Sequence, residues 1–140
     1  MTQATETRSL VMEKELAHPP EKVWRALTEG SLLEQWMMKN DFEPVVGHKF
    51  TFRMPPMPNW NGIVDCEVLT VEPYERLSYR WNTQGGPLMV VNLTLTKTDG
   101  GVLLRMEQTG FPAGDQAAYG GAQYGWNGFL GRLPDVVARA

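Results

Sequence analysis

The chain has 140 residues, of which 42% are hydrophobic, so it is long enough for one domain with a real core and too short for two ordinary domains. Its 13 basic and 16 acidic residues give a net charge of -3 without a run of like charge, so neither nucleic acid nor an anionic membrane is an expected partner. The chain has a single cysteine, no apolar stretch of membrane-spanning length and polar residues at 1–9. These features predict a cytoplasmic protein without disulfides. We expect it to be a monomer or a homodimer.

The first part of the chain reads as one strand followed by two short helices. Residues 10–16 alternate between apolar and polar side chains, which predicts a β-strand. Apolar residues at helical spacing over 20–29 predict an amphipathic helix that starts at a proline and ends at Gly30 in a left-handed conformation. Ser31, with a glutamate three residues later, predicts the N-cap of a second helix.

The central part of the chain is predicted to be β. Residues 41–108 mostly alternate, and turn signals recur about every ten residues without an intervening helix. This pattern favours a meander of antiparallel strands. The segment 54–62 contains three prolines, which remove the N–H groups that a central strand needs. We therefore expect a stiff loop there, which either caps the edge of the core or forms the rim of a pocket.

A long helix is predicted from Asp115 onward. Five glycines within it each weaken it by roughly 1 kcal/mol relative to alanine, so packing must hold it in place. Pro134 is expected to kink or break it, because proline lacks the N–H of the helical hydrogen bond. Its predicted apolar stripe consists of Tyr119, Gln123, Trp126, Leu130, Leu133 and Val137.

The order of these elements predicts an α+β helix-grip fold. A curved antiparallel sheet with an apolar concave face needs cover, and the C-terminal helix is the only long element available for it. We expect about six to seven strands, with two short helices after the first strand. The C-terminal helix then lies over the concave face, with an apolar cavity between helix and sheet.

Several motifs resemble a known superfamily. The segment 17–28 (AHPPEKVWRALT), followed by Leu32, Leu33 and Trp36, resembles the opening segment of the SRPBCC superfamily, which includes START domains, polyketide cyclases and Bet v 1-like proteins. Within it, the chain resembles the branch named for the activator of the heat-shock protein 90 ATPase. The resemblance spans residues 8–138 and implies one helix-grip domain over 1–140, with 1–8 flexible. Further matching motifs are Gly62, Glu67-Val68-Leu69, Val71-Glu72-Pro73, Arg76 to Trp81, Gln108 to Pro112 and Gly125-Trp126.

The sequence contains no pattern of a metal, cofactor or nucleophile site. His18, His48 and Cys66 are not spaced as metal ligands, so neither metal nor cofactor is predicted. Cys66 lacks a nearby histidine and is predicted to be a buried, unreactive thiol. The glycine-rich stretch 120–131 does not follow a strand, which excludes a dinucleotide-binding fingerprint.

A ligand site is predicted inside the cavity. Gln108 is the polar member of an inward-facing row, so its amide must find partners in the backbone or in a ligand. Charged strand residues such as Arg80 and Glu107 are out of phase with that row and are expected to pair on the outer face. The predicted cavity-lining residues are Phe52, Met54, Met57, Trp60, Glu67, Tyr79, Trp81, Met106, Gln108, Tyr119, Gln123 and Trp126.

Three functions remain open at this point. The first is binding of a small hydrophobic or aromatic molecule, favoured by the many methionines and aromatic residues. The second, implied by the resemblance, is a cyclase or aromatase-like enzyme with Glu67 and Gln108 as acid–base groups. The third is co-regulation of a chaperone, by analogy with the name of the branch. If a ligand enters, its predicted route passes between the helix turns at 119–124 and the 54–62 loop.

Overall fold

A computed structural model describes residues 7–58 and 60–140. Residues 1–6, most of the segment expected to be flexible, lie outside the described residues. The predicted α+β helix-grip fold is confirmed. In chain order the elements are β1 (Thr7–Leu16), α1 (Pro20–Thr28), α2 (Gly30–Trp36), β2 (Lys39–Asn40), β3 (Lys49–Arg53), β4 (Ile63–Glu72), β5 (Arg76–Thr83), β6 (Met89–Thr98), β7 (Gly101–Pro112) and α3 (Gln116–Arg139).

The strands form one seven-stranded antiparallel sheet in the order β1-β7-β6-β5-β4-β3-β2. Strands β2 to β7 form a meander, and β1 pairs with β7, so the first and last strands lie side by side. The register shifts in β1 between Arg8 and Leu10, and in β4 between Val68 and Thr70. Such irregularities bend a strand, which favours the curvature that the helix needs.

Alternation along the strands separates the two faces of the sheet. On β7, Leu104, Met106 and Gln108 are buried on the concave face. Between them, Arg105 and Glu107 lie on the convex face, with charged atoms 4.0 Å apart. The core therefore lies between the concave face and the helices, and the convex face carries solvated charge.

The junction between α1 and α2 differs from the sequence prediction. Glu29 lies between the helices as the C-cap of α1 and the N-cap of α2, and Gly30 begins α2. The predictions of a left-handed Gly30 and of an N-cap at Ser31 are therefore wrong. Space is tight at this place, since a Cβ on Gly30 would lie 3.1 Å from Oδ1 of Asn40. Asn40 also donates from Nδ2 to the Gly30 carbonyl at 3.1 Å.

The second half of α3 is firmly held. The break expected at Pro134 does not occur, and the helix continues to Arg139. Tertiary contacts compensate for the hydrogen bond that proline removes. Arg132 donates from Nη2 to the Trp36 carbonyl at 3.2 Å, and Lys22 donates from Nζ to the Ala138 carbonyl at 3.1 Å. The buried residues of α3 all lie in this half and are Trp126, Leu130, Leu133, Val136 and Val137.

The first half of α3, residues 116–125, is held more weakly. Asp115 caps it by accepting a 3.0 Å hydrogen bond from the Ala118 N–H. No residue of this half belongs to the buried core. Added methyl groups at Gly120 and Gly121 would meet open space, so these glycines are not explained by close packing. This half is held by partly buried side chains, namely Ala118 and Ala122 against the core and Tyr119 against Phe111 and the Arg8 guanidinium.

Three connections lie at one end of the sheet, because successive strands run in opposite directions. They are 54–62 after β3, 84–88 after β5 and 113–115 before α3. We call this the loop end. The weakly held half of α3 starts here and runs towards α1 and α2 at the other end. None of the helices in the described part of the chain combines the length and apolar character needed to cross a membrane.

Candidate functional site

Aromatic side chains cover the concave face on β3 and β5 and reach α3. The ring centroids of Phe50 and Phe52 are 5.3 Å apart, and those of Phe50 and Tyr79 are 5.4 Å apart. Trp81 lies 5.6 Å from Phe52 and 5.7 Å from Trp126 of α3. These five rings, Phe50, Phe52, Tyr79, Trp81 and Trp126, form a continuous aromatic wall, and contacts of this kind stabilise beyond simple burial.

Gln108 joins the sheet to α3 through its side chain. The indole N–H of Trp126 donates to Oε1 of Gln108 at 2.8 Å, and Nε2 of Gln108 approaches Sδ of Met89 at 2.9 Å. A thioether is a weak acceptor, so the amide N–H group is held by a weak partner. The partners of Gln108 within the chain are thus two neighbouring side chains and not backbone groups.

The Tyr79 hydroxyl lacks a hydrogen-bond partner and is the one such buried side-chain group within the described residues. Tyr79 is completely buried, and the rings of Phe42, Phe50 and Phe52 pack around it. Burial raises the pKa of Tyr79, and the neighbouring Cys66 thiol raises it further. The hydroxyl therefore stays protonated at neutral pH and remains a hydrogen-bond donor.

Cys66 is buried on β4, as predicted. Burial raises the pKa of its thiol, and the carboxylates of Asp65 and Asp41 raise it further. Because only the thiolate is a good nucleophile, these surroundings make Cys66 unreactive at neutral pH.

The structure brings together about half of the predicted lining residues. Tyr79, Gln108 and Trp126 lie in the interior between sheet and helix, as do Phe52 and Met106. Further residues from the prediction lie towards the loop end, where Met54, Trp60 and Trp81 are partly buried against the core. Met57 is on the same loop but half of its surface is exposed.

Three predicted lining residues lie elsewhere. Glu67 is on the convex face, where its carboxylate is 3.8 Å from the Arg80 guanidinium. Gln123 is exposed, because the inward-facing positions of α3 at this level are Ala122 and Trp126. Tyr119 packs against Phe111 at the edge of the sheet formed by β1 and β7. The prediction that Glu67 and Gln123 line the interior is contradicted by these positions.

Two of the depressions on the described surface lie outside the core. One, of about 310 Å³, lies at the loop end and is lined by Pro56, Met57, Pro58, Trp60, Asn61 and Gln84. The other, of about 180 Å³, lies on the convex face beside the Glu67–Arg80 pair. The interior assigned to a cavity by sequence is occupied by the aromatic wall and by Met106 and Gln108.

The fold and interior define an α+β helix-grip domain of the SRPBCC type. Residues 17–138 match the family model described as "Activator of Hsp90 ATPase homolog 1-like protein", which spans most of the chain. The chain belongs to this family, and the resemblance inferred from its motifs is confirmed.

Solved structures have the same fold. MLL2253 from Mesorhizobium loti is 48% identical over 95% of this chain and 98% of that one, with a TM-score of 0.87. BH1534 from Bacillus halodurans is 26% identical over 93% of this chain and 96% of that one, with a TM-score of 0.78. DynU16, from the dynemicin biosynthetic locus, is 26% identical over 93% of this chain but only 47% of that one, with a TM-score of 0.79. No curated protein matches the sequence.

Proposed function

We propose that the chain binds a small hydrophobic or aromatic molecule between the concave face of the sheet and the first half of α3. The observation that carries this proposal is the aromatic wall, in which neighbouring rings such as Trp81 and Trp126 lie 5.7 Å apart. Ligand sites are apolar and aromatic surfaces with a few placed polar groups. Gln108 and Tyr79 are the polar groups available on this wall.

A ligand must move side chains aside, since the interior is occupied. Movement is easiest at the loop end, where Met54, Trp60 and Trp81 are only partly buried. The first half of α3 has no fully buried residue and meets the core only through the partly buried Ala118, Tyr119 and Ala122, so its displacement loses fewer contacts than displacement of the second half. We therefore propose that a ligand enters between residues 119–124 and the 54–62 loop.

Thermal unfolding in the presence of neutral bicyclic aromatic ketones and hydrocarbons tests this proposal. A ligand that binds only the folded state at about 100 times its Kd stabilises it by about 2.7 kcal/mol, so the unfolding midpoint is expected to rise. Trp81→Leu removes part of the wall and is expected to reduce the rise. Tyr74→Phe is the control, because Tyr74 is 48% exposed and lies in the turn between β4 and β5, at the end of the sheet opposite the loop end. Unchanged midpoints with every compound would contradict the proposal.

Two other functions are less well supported. A cyclase or aromatase-like reaction using Glu67 and Gln108 needs both groups at one place, and they lie on opposite faces of the sheet. Residues 7–58 and 60–140 also bring no three His, Cys, Asp or Glu side chains together as a metal site would.

Chaperone co-regulation rests on the family name alone, and a shared fold does not carry function. We expect a pull-down with an Hsp90 chaperone to be empty.

A further inference from the structure

The Tyr79 hydroxyl is a donor without an acceptor. Burying a hydroxyl without a hydrogen bond destabilises a folded protein, and such groups are rare in native structures. The rings of Phe42, Phe50 and Phe52 around Tyr79 offer only carbon atoms, and the neighbouring Cys66 thiol is turned to the Val64 carbonyl and is itself only a weak acceptor. An uncompensated donor in the middle of an aromatic wall points to an acceptor that arrives from outside the chain.

The second polar group of the wall is already engaged. Tyr79 lies opposite Val91 on β6, and Val91 lies opposite Gln108 on β7. Tyr79 and Gln108 are therefore at the same level of the sheet, two strands or roughly 9–10 Å apart. Gln108 accepts from Trp126 and donates to Met89, whereas Tyr79 has no partner. The Tyr79 hydroxyl is thus the one buried side-chain polar atom of the described residues without any partner, although the Gln108 amide also carries a second N–H.

The interior also limits the charge of a ligand. The buried polar residues among those described are Ser78 and Gln108, and no charged residue is buried with them. A charged ligand would lose its hydration without a compensating countercharge. The acceptor must accordingly belong to a neutral molecule.

We infer that the ligand is a neutral, flat aromatic molecule with a carbonyl-type acceptor, and that the Tyr79 hydroxyl donates to this acceptor. This inference rests on the proposed function and adds the chemical class of the ligand. The apolar body of the ligand lies against the aromatic wall, and its acceptor faces Oη of Tyr79. Tyr79 therefore selects among apolar compounds that have the same shape.

Three naphthalenes test the inference by titration of the tryptophan fluorescence. They are 2-acetylnaphthalene as the ketone, 2-isopropylnaphthalene as a hydrocarbon of similar shape, and 2-naphthoate as the anion. Tyr79→Phe is expected to raise the Kd of the ketone by about three- to tenfold, because the hydrogen bond to its carbonyl is lost. The Kd of the hydrocarbon is expected to change by less than about twofold. Tyr74→Phe, in the exposed turn between β4 and β5, is expected to leave the Kd of both compounds unchanged. The anion is expected not to bind.

The possible failures can be told apart. If neither neutral naphthalene binds the unsubstituted protein, the proposed function fails and the inference fails with it. If both bind and Tyr79→Phe affects them equally, binding stands and the role of Tyr79 is overturned. If the anion binds as tightly as the ketone, the inference that the ligand is a neutral molecule is wrong.

A second measurement needs no ligand. Removing an unpaired hydroxyl is expected to leave the unfolding midpoint of the free Tyr79→Phe protein unchanged or raised relative to Tyr74→Phe. A lower midpoint would mean that the hydroxyl already has a partner, such as a trapped water, and would overturn the inference.

Discussion

The indole N–H of Trp126 donates a 2.8 Å hydrogen bond to the side-chain carbonyl of Gln108, and both residues are almost completely buried. This bond joins α3 to β7 at the point where the firmly packed half of the helix begins. An indole N–H and a carboxamide in a core each need a partner, because an unpaired buried polar group is strongly unfavourable. The pair therefore fixes the position of α3 as well as satisfying both groups.

Gln108→Leu is expected to lower the free energy of unfolding by about 1–3 kcal/mol, because it leaves the Trp126 N–H buried without an acceptor. Urea unfolding measures this effect. Trp126→Phe removes the donor, so the double variant is expected to be less destabilised than the sum of the single variants. Strictly additive losses would show that the hydrogen bond does not couple the two residues.

Gly62 and Gly85 both have a positive φ, of 84° and 74°, but they differ in their surroundings. A Cβ at Gly62 would collide with the Met54 carbonyl, whereas a Cβ at Gly85 would meet open space. The Met54 N–H also donates to the Gly62 carbonyl at 2.9 Å and closes the loop. We expect Gly62→Ala to lose clearly more stability than Gly85→Ala, which carries only the backbone strain of about 1–2 kcal/mol. Equal losses in urea unfolding would contradict the close approach.

The buried Tyr79 and Cys66 predict a loss of stability at alkaline pH. The ordinary pKa values are 9.0 for the thiol and 10.0 for the phenol, and burial raises both in the folded state. The unfolded chain therefore releases these protons first. Their contribution to stability is complete below about pH 9 and falls as the pH rises above the ordinary values, by up to about 1.4 kcal/mol per pH unit for each group.

Urea unfolding of the unsubstituted protein and of the Cys66→Ala/Tyr79→Phe variant checks this pH dependence. All other groups are common to both proteins, so their contributions cancel in the comparison. The double variant is expected to lose less stability than the unsubstituted protein between about pH 8 and about pH 11. Parallel curves would show that neither group is protected from ionisation in the folded state.

Alternation along β5 and β7 made it possible to predict which of their residues face the core. An irregularity in β4 made the same prediction fail for that strand. Val68 and Val71 both pack towards the core although they are three residues apart, because the register of β4 shifts between Val68 and Thr70. Counting back in twos from Val71 therefore assigns Glu67 to the wrong face. The sequence contains no clear signal for such a shift, since it depends on how β4 pairs with β5.

Two further features could not be predicted from the sequence, namely the inward-facing residues of the first half of α3 and the missing partner of the Tyr79 hydroxyl. In the first half of α3 the inward positions are filled by Ala118 and Ala122, whereas a pattern of large residues favours Tyr119 and Gln123. The sequence places Tyr79 on the inner face, but whether its hydroxyl has a partner depends on rings from β3 and the segment before it.

Glu67→Gln is expected to change the free energy of unfolding by less than about 1 kcal/mol. The Glu67–Arg80 pair is solvated on the convex face, and exposed ion pairs contribute little. Binding of aromatic compounds is expected to be unchanged for the same reason, which fluorescence titration checks. A large loss of binding with normal stability would place Glu67 in the ligand site and would revive the acid–base hypothesis.

Hydrogen exchange tests the proposed route for the ligand. Amides of residues 119–124 and of the 54–62 loop are expected to exchange faster than those of the central strands, because the first half of α3 adds nothing to the buried core. Gly120→Ala and Gly121→Ala introduce methyl groups into open space and are each expected to stabilise this half of the helix by up to about 1 kcal/mol. If opening of this half admits the ligand, the double variant must show slower exchange at 119–124 and also slower association of 2-acetylnaphthalene. Slower exchange with an unchanged association rate in the double variant would mean that the ligand enters elsewhere. In the unsubstituted protein, amides of 119–124 that are as protected as those of the central strands would exclude the route altogether.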